Sequence, residues 1–207
     1  MIIDPKNQTR QENYKLMIGS IVPRPIAFVS TKSKDGILNL APFSFFTAIS
    51  SAPPTICFSP GRKADGSKKD TLVNIEATGE FVINVVTEEM AEAMNETATE
   101  IPSDMSEFEY AGFTPVASES VRPPRVQESP INLECKLLQI VNVGIDGPGG
   151  ASLVIGEIVR FHIADFLYEN GRIDTGLLNP IGRLAGNQYT TLGRRFGLDR
   201  KPWPPKS

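Results

Sequence analysis

The residues with the most chemical potential in this chain of 207 amino acids fall in two neighbouring groups. The first is the run Asn39-Leu40-Ala41-Pro42-Phe43-Ser44-Phe45-Phe46, inside a longer stretch covering 21–59. Backbone amides, an asparagine, a serine and three phenylalanines between apolar runs suit a flat ligand with a polar tail. The polar groups bind the tail and the rings cover the flat part. The second group is Phe58-Ser59, Arg62-Lys63 and Lys68-Lys69-Asp70-Thr71. A phosphate needs positive charge, hydroxyl donors and, ideally, the free amides of a helix start. Ser59 ends an apolar run, and Lys69 and Thr71 stand where Leu72, Val73 and Ile75 announce a short helix. Asp70 can cap that helix or pair with a lysine, and Asn74 follows one turn later. On residues alone a plainer reading stays open, in which Asn39 and Ser44 satisfy a turn, the phenylalanines are core, and the lysines lie on a solvated loop.

These groups need elements to hold them. Residues 8–17 suit a short helix. Strands are expected over 26–31 and 37–40, joined by an Asp35-Gly36 turn. Residues 43–49 read as a short helix or an irregular turn. Pro53-Pro54 forces extended backbone before a strand at 55–58. A loop over 61–69 leads to a helix at 70–77, then a strand at 80–86 and a helix at 87–95. Residues 96–109 are acidic and read as irregular. Two long strands, 131–143 and 151–164, flank the turn at 146–150 and form a hairpin. Residues 178–189 make a loop or short helix, and the proline-rich tail from Lys201 to Pro205 is neither helix nor central strand. Short strands with a few brief helices indicate a mainly β protein. Periodicity does not separate barrel from sandwich.

Several function classes are disfavoured. A formal net charge of -3 argues against a nucleic-acid surface. One histidine rules out a histidine-rich metal site, and no metal is expected. The chain has no Cys-x-x-Cys, serine-hydrolase elbow, Walker loop or Gly-x-Gly-x-x-Gly fingerprint. Cys57 and Cys135 sit in apolar runs and read as buried thiols, which fits a reducing compartment. The N-terminus lacks a signal-peptide pattern and no apolar run is long enough to span a membrane, so a cytoplasmic protein is expected.

The motifs VPRPIAFVST, DG-x-x-NLAPFSFF, PP-x-x-x-FSP, KKDTLVNI and GEIVRFHI occur in that order. In this respect the chain resembles the flavin-reductase-like family of FMN-binding split β-barrels, from about Tyr14 to about Tyr189. The resemblance implies a six-stranded antiparallel Greek-key split barrel with a few peripheral helices. It divides the chain into an N-terminal extension (1–20), an FMN-binding domain (21–190) and a C-terminal tail (191–207). It implies FMN contacts from Asn39, Ala41, Pro42, Phe43, Ser44, Phe45 and Phe58. Ser59, Lys69 and Thr71 would meet the phosphate, with Asp70 and Asn74 nearby. Arg24, held between two prolines, approaches phosphate or pairs with a carboxylate. Tyr189 stacks near the flavin ring or sits in a plain glycine turn, and Arg183 meets the phosphates of a nicotinamide nucleotide. Strict alternation from Ile158 puts Ile158, Arg160 and His162 on one strand face. There His162 either orients a substrate or is an ordinary surface histidine. NADH or NADPH would reduce the flavin in a homodimer, and hydride transfer through flavin N5 needs no protein base. Two alternatives are an FMN electron carrier without a nicotinamide site and an oxidase similar to pyridoxamine-phosphate oxidase.

Overall fold

The structure, a computed structural model, describes residues 1–201 and Trp203. Pro202, Pro204 and Pro205, which carry the expectation for the tail, lie outside the described residues. Helix α1 (Arg10–Ser20) starts with a reciprocal cap. The Thr9 hydroxyl accepts from the Glu12 amide at 3.2 Å, and the Glu12 carboxylate accepts from the Thr9 amide at 2.8 Å. Strands β1 (Ala27–Lys32) and β2 (Leu38–Phe43) form the expected hairpin. Gly36 takes φ +95° in its turn, a conformation that glycine allows. Then come β3 (Phe46–Ser51), β4 (Pro54–Phe58), α2 (Asp70–Thr78), β5 (Glu80–Asn84), α3 (Ala91–Glu96) and α4 (Glu107–Ala111). The long pair β6 (Ile131–Val143) and β7 (Ala151–Ile163) follows, and α5 (Thr175–Leu178) comes after it. Among the described residues no helix is long and apolar enough to cross a membrane.

The protein is mainly β, with one antiparallel sheet in the order β2-β1-β5-β6-β7-β4-β3. It has seven strands where six were expected. The additional strand is β3, read from the sequence as a short helix or irregular turn. It is an edge strand whose last five residues are all exposed, so no apolar alternation marked it. The apparent irregularity of residues 39–43 is also strand. Pro42 sits in the other edge strand, where its missing N–H is tolerated. A third difference is α4, which lies within the expected irregular acidic region.

The two edge strands are chain neighbours. Only Ser44 and Phe45 separate β2 from β3, so Phe43 and Phe46 are at most about 11 Å apart. Laid flat, six strand spacings would put those edges roughly 29 Å apart. The sheet must therefore curl until its ends meet at this link. Among the described residues no hydrogen-bonded ladder joins β2 to β3, so the curl stays open.

The barrel interior holds Ala27, Val29, Ile56, Phe58, Phe81, Ile83, Cys135 and Val154, plugged by Leu72 and Ile75 of α2. Phe43 packs on Phe58 with ring centroids 5.3 Å apart. The opposite face of β1 is buried too: Ile26 and Phe28 lie under Met90, Met94 and Phe108. Cys57 and Cys135 are free thiols. Val159 is a β-bulge, since Glu134 pairs with Arg160 while Cys135 pairs with Ile158. The extra residue breaks the expected alternation. Ile158 packs in the barrel core, whereas Arg160 and His162 bond to groups outside it.

Candidate functional site

A cavity of about 770 Å³ opens beside the link between β2 and β3. Pro42, Phe43, Ser44 and Phe45 form one wall and Ser59 and Arg62 the next. The Ser59 amide donates to the Phe45 carbonyl at 2.8 Å, which ties the end of β4 to the link. The Arg62 amide donates to the Gly150 carbonyl at 3.2 Å, which ties the following segment to the β6–β7 loop. Helix α1 closes the cavity with Arg10, Gln11, Asn13 and Tyr14.

Arg24 does not meet a phosphate or a carboxylate as expected. Its side chain donates to the carbonyls of Ile18 (2.7 Å), Ile21 (2.8 Å) and Leu184 (2.9 Å), and to Ser44 Oγ (3.4 Å). Only 5% of the residue is exposed, and burial draws its pKa below the ordinary arginine value. A guanidinium has a rigid fork of donors, and these are spent clasping the end of α1 to the β2–β3 link.

Arg62 is in the opposite condition. Its Nε and Nη1 are buried and have no hydrogen-bond partner among the described residues. No aspartate or glutamate among the described residues lines this cavity. Unpaired buried N–H groups on a cation are costly, and a guanidinium fork matches the oxygens of a phosphate. The sequence places Arg62 in the basic group, but the phosphate was expected at Ser59, Lys69 and Thr71. The position of Arg62 three residues after the end-of-strand Ser59 was the available signal.

The residues around α2 line a separate crevice of about 140 Å³ on the far side of Pro42 and Phe43. Here the charges are already matched: Lys63 with Asp70 and Lys69 with Glu100, each at 3.1 Å. Lys69 is the capping position of α2, and Asp70 makes no capping hydrogen bond. Asn39 Oδ1 accepts from Thr31 (3.1 Å) and Thr71 (2.8 Å), and its Nδ2 donates to Glu107 (2.9 Å). Asn74 Nδ2 donates to the Thr31 hydroxyl at 3.0 Å. Asn39, Thr71 and Asn74 thus form a buried polar network that fastens α2 and α4 to the β1–β2 hairpin. Ala41 lines the same crevice. Of the phenylalanines expected over the ligand, Phe43 and Phe58 are core, whereas Phe45 is 41% exposed at the cavity rim.

His162 and Tyr189 lie elsewhere in the chain. Ala151 lines the 770 Å³ cavity, whereas His162 is near the other end of β7. At about 3.3 Å per residue, roughly 36 Å of strand separates them. His162 Nε2 sits 2.5 Å from Glu134 Oε1 beside a cleft of about 1110 Å³. Glu134 is fully buried and also accepts the amides of Glu119 (2.8 Å) and Ser120 (2.6 Å). Burial alone would push its carboxyl up, but those amides and the imidazole outweigh it and hold the pKa below the usual 4.5. The Tyr189 ring is covered by Arg183, whose Cζ is 4.4 Å from its centroid, and its hydroxyl contacts Arg183 and Asn95. Both Tyr189 and Arg183 are committed to this internal contact.

Comparison with known proteins identifies the family. The Flavin reductase like domain matches residues 18–177. Nitrilotriacetate monooxygenase component B from Bacillus cereus is 46% identical, with a TM-score of 0.92 over 96% of this chain and 98% of that one. The 2-nitrobenzoate 2-nitroreductase NbaA of Pseudomonas fluorescens is 33% identical, with a TM-score of 0.86 over 100% of both chains. A Shewanella frigidimarina protein with a split barrel domain shares the fold, at 23% identity and a TM-score of 0.83 over 97% of this chain and 99% of that one. By the extent of these matches, the chain belongs to the flavin reductase-like family.

Proposed function

We propose that the protein is a flavin oxidoreductase that holds FMN in the 770 Å³ cavity and takes hydride from NADH or NADPH. The observation that carries this reading is Arg62, a half-buried residue whose Nε and Nη1 are buried without a partner, in a cavity that no acidic side chain lines among the described residues. In this arrangement Arg62 and the Ser59 hydroxyl bind the phosphate. The backbone of Pro42 and Ser44 meets the polar edge of the ring, and Phe45 covers its face. Lys69 and Thr71 reach the ligand only by releasing Glu100 and Asn39, so the phosphate is assigned to Arg62. Bound flavin supplies the hydride and electron chemistry. The chain's own part is to grip the phosphate, fix the ring against the β2–β3 link and exclude water with α1.

One relative supports direct reduction of a small molecule: NbaA is a 2-nitrobenzoate 2-nitroreductase. Leu138, Val143 and Ile145 are exposed along the outer half of the β6–β7 hairpin, which supports assembly as a homodimer. The test is titration of the purified protein with FMN, followed anaerobically by NADH and then NADPH. Perturbed flavin bands that bleach with either nucleotide are expected. Absence of flavin binding would overturn the reading, and binding without bleaching would make the protein an electron carrier.

A further inference from the structure

The cavity contains a second guanidinium. Arg10 lines it from α1, as Arg62 does from the segment after β4. The cap at Thr9 fixes the backbone just before Arg10, and the Arg24 clasp fixes the other end of the helix. The Arg10 side chain lies across Gly149 in the β6–β7 loop. A Cβ placed on Gly149 would fall 2.4 Å from Arg10 Cδ and 3.1 Å from Nη1, so a larger residue there would displace the arginine side chain. The neighbouring Gly150 carbonyl accepts the Arg62 amide. One loop therefore contacts both arginine residues. With no acidic side chain lining the cavity among the described residues, two positive charges face it without an internal counter-charge. A phosphate monoester near neutral pH carries nearly two negative charges.

We propose that Arg10 is a ligand-binding residue, and that Arg10 and Arg62 together clamp one phosphate group. This inference rests on the flavin reading above, because it names the grip on that ligand's phosphate. It also extends the site to α1, whose residues 10–17 precede the segment matched by the family. The clamp favours FMN over riboflavin, which has the same ring and no phosphate.

The experiment compares the intact protein with R10Q, R62Q and R10K, titrating each with FMN and with riboflavin by fluorescence. R10Q and R62Q should each weaken FMN binding about tenfold or more, since each removes a charge-assisted pair, and leave riboflavin binding unchanged. R10K keeps the charge but loses the fork, and should fall between R10Q and the unaltered protein. Arg10 is exposed, so the thermal midpoint of R10Q should match that of the parent. If R62Q loses FMN affinity while R10Q binds FMN normally, the clamp is wrong and the flavin reading survives. Equal loss of FMN and riboflavin in R10Q would also overturn it, by showing a general role in shaping the cavity. If the unaltered protein binds neither flavin, the flavin reading itself falls.

Discussion

Two basic regions flank Pro42 and Phe43, and they differ in how their charges are matched. Around the start of α2, Lys63 and Lys69 are paired with Asp70 and Glu100, and every named amide and hydroxyl of the Asn39 network has a partner. Across the strand, Arg62 has buried nitrogens with no partner, and Arg10 faces the same acid-free cavity. The first region resembles a binding site in sequence but is built for stability. The second is a short arginine-bearing loop in sequence, yet it carries an unsatisfied charge that a ligand would complete. In the proposed function the state of pairing, rather than the number of basic residues, distinguishes the two regions.

The contrast predicts opposite consequences of substitution. The largest effect is expected for Arg62→Met, which should lower FMN affinity about a hundredfold by removing a buried charged donor set. Flavin titration measures it. Asn39→Ala should instead cost about 2–3 kcal/mol of stability, because Thr71 and Glu107 lose a buried partner. A shifted denaturant midpoint with unchanged m would report it, and an unshifted midpoint would show that the network is not structural. Arg62→Met should raise the stability of the ligand-free protein by about 1 kcal/mol, since the unpaired cation is replaced by apolar volume. A lower melting temperature in that variant would erase the contrast. Lys69→Ala should change stability by less than about 0.5 kcal/mol, as a part-exposed ion pair contributes little.

The Glu134–His162 pair sharpens the comparison at low pH. The Glu134 pKa is held below 4.5 in the folded protein. Its contribution is therefore present above the unfolded glutamate range and is lost as pH falls through the depressed value. Glu134→Gln should flatten the acid limb of the stability curve below about pH 4.5 relative to the parent. Parallel curves for the two proteins would show that this carboxylate is not the source of acid sensitivity.

Much of the fold was readable because periodicity and turn chemistry spoke together. The β6–β7 hairpin has two long apolar runs around a glycine-rich turn, and the β1–β2 hairpin has its Asp35-Gly36 signal. Strand β3 was not legible, since an exposed edge strand shows no alternation, and the bulge at Val159 shifts a face without any marker in composition. Membership of the site was harder still. Ser44, Ser59 and Phe45, singled out by local residue type, line the 770 Å³ cavity. The sequence did not show that Arg24 has its donors spent while Arg62 has unpartnered ones. Whether an arginine's donors are spent is decided by carbonyls and loops distant in the chain, such as Leu184 for Arg24. Gly149, which makes room for Arg10, is similarly visible only when the hairpin loop meets α1.

The link formed by Ser44 and Phe45 binds the curled sheet like the spine of a book. Continuity between the two edges runs the long way through six ladders or the short way through these two residues. Any opening of the barrel along its seam must turn the backbone at Ser44 and Phe45, and the same two residues line the cavity. Breathing of the sheet and entry of a ligand are therefore read at one place. A molecule seated there fastens together the two strands that the sheet itself leaves furthest apart.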